Sequence, residues 1–418
     1  MLTHNERLGV WMVGVKGSIA MTTILGTLAI KRGFKPETGM VTATEIFNGL
    51  PLPPLADIVF GGCDVRPQSL AEAATEFRHE FQFLEQEIFL DLTDMLAEID
   101  SNISRGTVIN CGPSIESLGG RPAPPAERPD IEREIDQIRQ DLQTFRHKNG
   151  LKTVVVVNLA STEPPLTWSP CHEDIVALRQ KFSAGDASIL RASTLYAYAA
   201  IMEGCPYVNF TPSNAALPPA LIKLAEATGV PVMGNDGKTG ETLVKSTLAP
   251  MFASRNLEVL SWEGFNLLGN LDGKVLNDPD NCASKLQTKD QVLHKILGYA
   301  PHSRVHINYV PSLADQKTAW DFIHFQGFLG GKMTLQFTWQ GYDSLLAAPL
   351  VLDLVRLAAF AKDRGEAGLM PHLASFFKAP LGVNEYRHAA QFEMLREYAE
   401  QARHPSSSGP VGEREIAQ

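Results

Sequence analysis

The sequence predicts an α/β protein in which a doubly wound parallel sheet is interrupted by an inserted sheet-forming unit. Three observations carry this. Short apolar runs rich in β formers, Leu8–Val13, Val154–Asn158, Tyr207–Phe210 and Pro231–Met233, recur between segments of helical period, as strands buried on both faces do. Each run leads into a turn of Gly, Asn, Ser or Thr residues. Further along, Val305–Val310 and Lys332–Thr338 alternate apolar with polar residues, the sign of a sheet with one covered face and one available face.

The first strand, Leu8–Val13, runs into Gly14-Val-Lys-Gly-Ser-Ile-Ala20, and Met21–Lys31 then has a helical period. Strand, glycine turn and helix are the context that a dinucleotide fingerprint requires. Gly14 permits the tight turn, and Gly17 lets backbone amides approach a pyrophosphate at the helix N-terminus. Ala20 stands where a third glycine allows close helix–strand packing, and Lys16 fills a slot where glycine is expected. An acid for the adenosine ribose is expected ~20 residues further on. Glu37, Glu45 and Asp64 are candidates, each of which reads equally as a surface acid. Asp64 has the better setting, since Gly61-Gly-Cys-Asp64 follows the strand-like Asp57–Phe60 and lies at a sheet's carboxyl edge.

Gln68 to Ile99 reads as one long amphipathic helical region and Asp130 to His147 as a second, with a proline-rich, exposed loop from Cys111 to Pro125 between them. Leu159–Glu163 and Thr211–Asn214 are polar turns at strand ends, which line a nucleotide cleft or cap a helix. Ala187 to Gly204 reads as a helix, and from Glu258 to about Val310 the pattern loosens into turns and short strands. Asp315 and Lys317 follow a strand and are expected to flank a helix start, with Asp315 either an N-cap or a site residue. Asp343 has the same two readings ahead of the apolar helix that begins at Ser344, near whose start Pro349 falls. From Arg403 onward the chain reads as a disordered tail. The expected division is a doubly wound unit over 1–242, an inserted sheet unit over 243–343, a helical return over 344–402 and the tail over 403–418.

With a formal charge of −10 and a pI of about 5.6, the chain is unsuited to general nucleic-acid or acidic-membrane binding. An anion has to be met locally, by helix N-termini and placed lysines. Five cysteines, Cys63, Cys111, Cys171, Cys205 and Cys282, are odd in number and widely spaced, which reads as reduced thiols rather than a disulfide framework or zinc site. No apolar run approaches ~20 residues, so no membrane span is expected. No leader is read ahead of the first strand. The expectation is a soluble, cytoplasmic protein.

One polar run carries the chemistry. It comprises Gly234-Asn-Asp-Gly-Lys-Thr-Gly-Glu-Thr242, Phe265-Asn-Leu-Leu-Gly-Asn-Leu-Asp-Gly273 and Ser284-Lys-Leu-Gln-Thr-Lys289. Asn-Asp-Gly turns followed by lysines suit the wall of a site for an anionic, hydroxyl-rich small molecule. Lys285 and Lys289 lie at i, i+4. Buried, they lower each other's pKa; they serve equally to hold a phosphate, or as exposed surface charges. Lys378, beside Phe376 and Phe377, is either a snorkelling or a desolvated cation.

In these motifs, with Asp315-Gln-Lys317 and Asp343-Ser-Leu-Leu-Ala-Ala-Pro349, the chain resembles the inositol-phosphate synthases (myo-inositol-1-phosphate synthase, also called inositol-3-phosphate synthase). The likeness runs from residue 9 to about residue 381 and is strongest over 234–355. It implies conversion of glucose 6-phosphate to inositol phosphate through a bound NAD, reduced and then reoxidised. It also implies a Rossmann domain completed by the C-terminal segment, an inserted α+β catalytic and tetramerisation domain, a homotetramer and an activating monovalent or divalent cation, with no metal ligands assigned. Carried over residue by residue, Lys285, Lys289, Lys317 and Lys378 are the active-site lysines. Asp236, Asn266, Asn270, Asp272, Asp315 and Asp343 line the substrate–nicotinamide cleft. Gly14, Lys16, Gly17, Ser18, Asp64, Ala160, Thr162, Thr211, Asp236, Thr239, Asp343 and Ser344 face NAD. Lys285 and Lys378 are assigned to the oxyanions at O5 and O1, Lys289 and Lys317 to phosphate or O5, and Asp315 to orienting a lysine. The chain departs from the family's GxGGxNG turn at Lys16 and its neighbours, and has Asn308 before Tyr309 and Ala314 before Asp315. The competing readings are a relative that closes a different sugar phosphate, a non-catalytic NAD-binding scaffold, and a simple dehydrogenase.

Overall fold

The computed structural model describes residues 7–80, 84–119, 129–269 and 292–404. Seven parallel strands form the first sheet: β1 (Leu8–Val13), β2 (Ile58–Asp64), β3 (Ile103–Arg105), β4 (Thr153–Asn158), β5 (Tyr207–Asn209), β6 (Pro231–Gly234) and, from the far end of the chain, β11 (Gly368–Leu369). Their order is β11-β6-β5-β4-β1-β2-β3. The direction of winding reverses between β1 and β4, and that is where a doubly wound sheet opens its crevice.

All six residues of β1 are buried. Val10 and Met12 enter one core, and Trp11 and Val13 enter the other, so the strand has no polar face and reads as a continuous apolar run. The first core is closed by α1 (Ser18–Lys31), α2 (Leu70–Glu80), α3 (Gln86–Asp100) and a long return helix. The second is closed mainly by α5 (Ile131–Asn149), α6 (Ile175–Ser183), α7 (Ala192–Met202) and α8 (Pro219–Thr228); the short α4 (Pro113–Glu116) adds Ile115. The long helical region expected over 68–99 is divided into two helices, α2 and α3. In the loop that follows β3, Cys111 is buried, and residues 120–128 lie outside the described part. The helix expected over 187–204 begins only at Ala192, after a separate 3-10 turn at Ala187–Ile189.

After α9 (Gly240–Ser254) the chain builds a four-stranded sheet of β7 (Glu258–Leu268), β8 (His302–Tyr309), β9 (Gln316–Gln326) and β10 (Lys332–Tyr342), in the order β10-β9-β7-β8. The loosened pattern expected from Glu258 onward is corrected here: β7 is an unbroken strand of 11 residues. Its inward side carries Gly264 and Asn266 as well as apolar residues, which blurs the period-2 signal. Phe252 of α9, Trp262, Ile323 and Leu293 form the small core beneath this sheet. On the opposite face Phe265 stacks with His306 and Trp320 at ring separations of 4.5 and 5.2 Å.

The return helix α10 (Asp343–Asp363) then packs on the first sheet, and α11 (His388–Arg403) is the last described helix. No membrane span was expected, and only one described helix tests that. Helix α10 is long and apolar enough, but 72% of its apolar window is buried, as in a core helix. Inside it, buried Asp353 accepts hydrogen bonds from the amides of Val41 and Thr42 at 2.7 and 2.9 Å. Burial pushes that carboxyl up to about 6.

Candidate active site

The β1–α1 turn is built for close approach. Gly14 has a φ of +82°, and a Cβ there would stand 3.0 Å from the Cα of Ala160. The amides of Gly14 and Val15 donate to the carbonyl of Cys63 at 2.9 and 3.2 Å, which fastens the turn to β2. At Gly62 a Cβ would meet the Met12 carbonyl at 2.2 Å, so only glycine lets β2 lie against the turn. Gly17 caps α1 with no side-chain partner for the helix's free amides, and Ala20 is buried at the helix–sheet contact. This glycine cradle, with the helix N-terminus above it, fits a dinucleotide pyrophosphate.

Asp64, at the end of β2, is engaged by protein. Its Oδ2 accepts from the amide of Lys16 at 2.9 Å, and its Oδ1 accepts from the amide and Nε of Arg66 at 2.9 and 3.4 Å. The ammonium of Lys16 crosses to the carbonyl of Arg66 at 2.8 Å. One small cavity at the ends of β1, β2 and β4 contains Gly14, Gly17, Asp64, Arg66 and Ala160. A larger cleft, enclosing about 1450 Å³ of partly open space, adjoins it and is lined by Lys16, Gly17, Ser18, Ala160, Thr162, Thr211, Asp236, Thr239, Asp315, Asp343, Ser344 and Lys378. A third, small chamber continues from Thr239, Asp343 and Lys378 to Asn266 and Lys317. The sequence-designated residues inside the described part thus line one connected set of cavities. Lys285, Lys289, Asn270 and Asp272 lie outside the described residues.

The polar run after β6 makes the junction. Asp236 has a φ of +63° and is buried. Its Oδ1 accepts from Lys378 Nζ at 2.8 Å, while its Oδ2 is buried with no hydrogen-bond partner among the described residues. Lys378 is therefore a paired, largely buried cation rather than a snorkelling one. The segment that carries it pairs back on the run: the amides of Asn235 and Lys378 donate to the carbonyls of Ala379 and Asp236 at 2.8 and 2.7 Å. Gly237 is required there, since a Cβ would lie 2.1 Å from the ring of Phe210.

Two capping expectations are corrected. Asp315 precedes β9 rather than a helix, because the Thr318–Phe325 stretch alternates and pairs with β7 and β10. Its Oδ2 accepts from Ser344 Oγ at 2.7 Å. Asp343 is the first residue of α10, whose N-cap is Tyr342, and its Oδ2 pairs with Lys317 Nζ at 3.1 Å.

Several site neighbours escaped the sequence reading. Asn158, Asn209 and Asn235 form a ladder across the ends of β4, β5 and β6, with amide–carbonyl contacts of 3.1 and 2.7 Å. The signal was an Asn as the last residue of two apolar strands. Beneath the chamber, Asn266 Nδ2 donates to Glu241 Oε2 at 2.7 Å, and Glu241 Oε1 pairs with Lys245 Nζ at 2.5 Å, all three side chains buried. Lys238, inside the polar run, turns away from the cleft to Gln391 of α11. Burial brings its pKa down to about 7.

Known proteins resemble this chain over most of its length. A family profile described as Myo-inositol-1-phosphate synthase matches residues 8–400. Inositol-3-phosphate synthase 1 of Bacteroides thetaiotaomicron is 34% identical, covering 94% of this chain and 93% of its own length. Inositol-3-phosphate synthase isozyme 1 of Arabidopsis thaliana is 31% identical, covering 86% and 76%. The crystal structure of inositol-3-phosphate synthase from Caenorhabditis elegans superposes with a TM-score of 0.83 at 25% identity, over 96% of this chain and 86% of that one. The glycine cradle and the paired lysines around it thus sit in a chain that belongs to the NAD-binding myo-inositol-1-phosphate synthase family.

Proposed function

We propose that the chain converts D-glucose 6-phosphate to 1D-myo-inositol 3-phosphate by oxidation at C5, enolisation, aldol closure and re-reduction. One observation carries the reading: the Lys378–Asp236 pair borders the same cleft as the glycine turn and the N-terminus of α1, and Asp343 on that cleft's wall pairs with Lys317 in the small adjoining chamber. A site that only bound a dinucleotide has no use for buried cations at its far end. Bound NAD supplies a hydride acceptor at C5 and returns the hydride after ring closure, so no net redox change results. Gly14, Gly17 and Ser18 hold the pyrophosphate, and Thr162, Thr211, Thr239 and Ser344 border the nicotinamide end.

A ketone at C5 makes the C6 protons acidic, and the substrate's own phosphate is the base nearest to them. Charge then develops at O5 during enolisation and at O1 during closure. Cations held in place beforehand stabilise both at little reorganisation cost. We assign Lys378, with Lys285, to these oxyanions and to holding their protons, and Lys317, with Lys289, to phosphate or O5. Asp236 and Asp343 orient the lysines they pair with. Asp315, bonded to Ser344, fixes the entry of α10. Asn266, Asn270 and Asp272 complete the sugar wall.

The division into a Rossmann unit over 1–242, an inserted catalytic unit over 243–343 and a C-terminal return belongs to this reading, as do a homotetramer and a reducing, cytoplasmic setting. Phe328 and Leu329, each 90% exposed at the β9–β10 turn, favour self-association through the second sheet. The four described cysteines are free and buried.

The test is incubation of purified protein with NAD and glucose 6-phosphate, followed by phosphorus and proton NMR for inositol phosphate. The assay includes ammonium, potassium, magnesium and chelator arms, and light scattering gives the oligomer. Inositol phosphate with catalytic NAD supports the reading. Net accumulation of NADH, or product only from another hexose phosphate, overturns it.

A further inference from the structure

The acid that would read the adenosine ribose is already neutralised in this chain. Asp64 stands at the end of β2, where a dinucleotide site places the carboxylate that accepts the ribose hydroxyls and repels a 2′-phosphate. Three of its lone-pair directions are taken, by the amide of Lys16 at 2.9 Å and by the amide and Nε of Arg66 at 2.9 and 3.4 Å. A carboxylate offers about four such directions, so one remains for a hydroxyl.

The negative charge is meanwhile compensated by the adjoining guanidinium. The terminal nitrogens of Arg66 have no hydrogen-bond partner among the described residues, and Arg66 borders both the adenosine-side cavity and the main cleft. Lys16 uses one of its three ammonium donors on the Arg66 carbonyl at 2.8 Å and lines the main cleft. Of the acids on that side, Glu76 on the rim is held by Gln68 Nε2 at 2.9 Å, and Glu72, which feels the Lys16 charge, accepts from the amide and hydroxyl of Ser69 at 2.7 and 2.9 Å. An arginine beside the ribose position with free donors is the arrangement that accommodates a 2′-phosphate.

We propose that Lys16 and Arg66 make this cofactor site accept a dinucleotide bearing a 2′-phosphate on its adenosine ribose as well as one without it. The lone pair left on Asp64 serves the 2′-hydroxyl of NAD. The two cations serve the phosphate of NADP, whose charge an uncompensated Asp64 would exclude. The proposal rests on the cleft being a dinucleotide site.

Binding of NADH and NADPH is measured separately on the purified protein, by isothermal titration and by fluorescence of the bound dihydronicotinamide, without sugar. The dissociation constant for NADPH is expected within about tenfold of that for NADH, a span set by one or two charge-assisted contacts. Arg66→Ala and Lys16→Gly are each expected to weaken NADPH by more than about tenfold and NADH by less than about threefold, with Arg66→Lys retaining NADPH. NADPH binding more than tenfold weaker than NADH in the unmodified protein overturns the inference and leaves the cofactor site standing. So do variants that weaken both ligands alike. If neither dinucleotide binds, the cofactor reading fails, and this inference with it.

Discussion

Lys317 Nζ stands 3.1 Å from Asp343 Oδ2, so the second residue of β9 is tied to the first residue of α10. Gly240, with a φ of +46°, starts α9 against both: a Cβ there would lie 3.5 Å from Asp343 Oδ1 and 3.8 Å from Lys317 Nζ. The second sheet, the return helix and the polar run after β6 therefore meet at one ion pair. A charge-assisted hydrogen bond of this kind is worth about 1.5–3 kcal/mol. Asp343→Asn is expected to lower kcat/KM by about ten- to hundredfold, with NADH binding reduced less. Steady-state kinetics beside a binding titration checks this, and a variant with unchanged kcat/KM would remove Asp343 from the mechanism.

Lys378 and Asp236 are more deeply buried than that pair. Truncating one member of a buried pair leaves a charge without compensation, at about 3–5 kcal/mol. Lys378→Met should therefore lose both stability and turnover. Adding Asp236→Asn should recover most of the melting temperature, because the stranded carboxylate is gone, and none of the turnover. Denaturation and turnover measured on the single and double variants separate the two effects. Recovery of activity along with stability would mean that Lys378 only packs.

The Glu241–Lys245 pair lies one contact behind the small chamber bordered by Asn266 and Lys317, since Glu241 also holds Asn266. Lys245→Met is expected to destabilise the fold by about 3 kcal/mol or more through the same stranded-charge effect. Lys245→Met with Glu241→Gln should restore stability and keep the hydrogen bond to Asn266, leaving KM for the sugar phosphate within about threefold of the parent. A KM raised by tenfold in that double variant would show that the charges, and not the hydrogen bond alone, position Asn266.

Burial holds Lys238 down to about 7 and His388 down to about 4. Both folded-state values are depressed, so the folded state binds fewer protons than the unfolded chain in each window. The Lys238 contribution is present above its ordinary 10.5 and is lost as pH falls to 7; that of His388 is lost between 6.5 and 4. Stability should rise by about 2–4 kcal/mol between pH 7 and 9.5 from Lys238 alone. Lys238→Met should flatten that rise. Protection factors of residues 388–403, taken against the intrinsic exchange rate at each pH, should fall as pH drops from 6.5 to 4. Urea denaturation across pH and exchange mass spectrometry are the measurements, and a slope unchanged in the variant would rule out Lys238 as its source.

Lys285 lies outside the described residues, and its assignment is tested by chemistry alone. Lys285→Ala should abolish turnover while NADH binding stays within about threefold, because the residue is assigned to the sugar's oxyanions and not to the dinucleotide. Near-normal turnover would remove it from the site.

Much of the fold was legible because the sequence and the packing ask the same thing of a residue. Leu8–Val13 has both faces buried and no alternation to interpret, and the glycines after it stand where a Cβ would collide. Failures came where inward positions are not apolar. The inward side of β7 carries Gly264 and Asn266, and that of β9 carries Asp321, so their period was obscured. Asp315 looked like a helix cap because Asp before a polar pair fits a cap, while the pairing of β9 with two strands, which decides the matter, is non-local. Lys238 lies within a site-forming run but serves the C-terminal helix, because its side chain projects opposite Asp236. Spacing along a turn does not encode that.

The segment from Phe376 to Leu381 pairs with Gly234–Lys238, and β11 adds to β6 after more than 130 intervening residues. This fixes when the site comes into being during synthesis. A ribosome that has released β1 to β6 has made most of a nucleotide-binding sheet, yet the polar run still lacks the strand-like segment that shapes it and the cation of Lys378. Lys378 is made 142 residues after Asp236, the partner it pairs with. A chain cut short before residue 376 therefore has the glycine turn but neither the segment nor the cation that shape the polar run after β6.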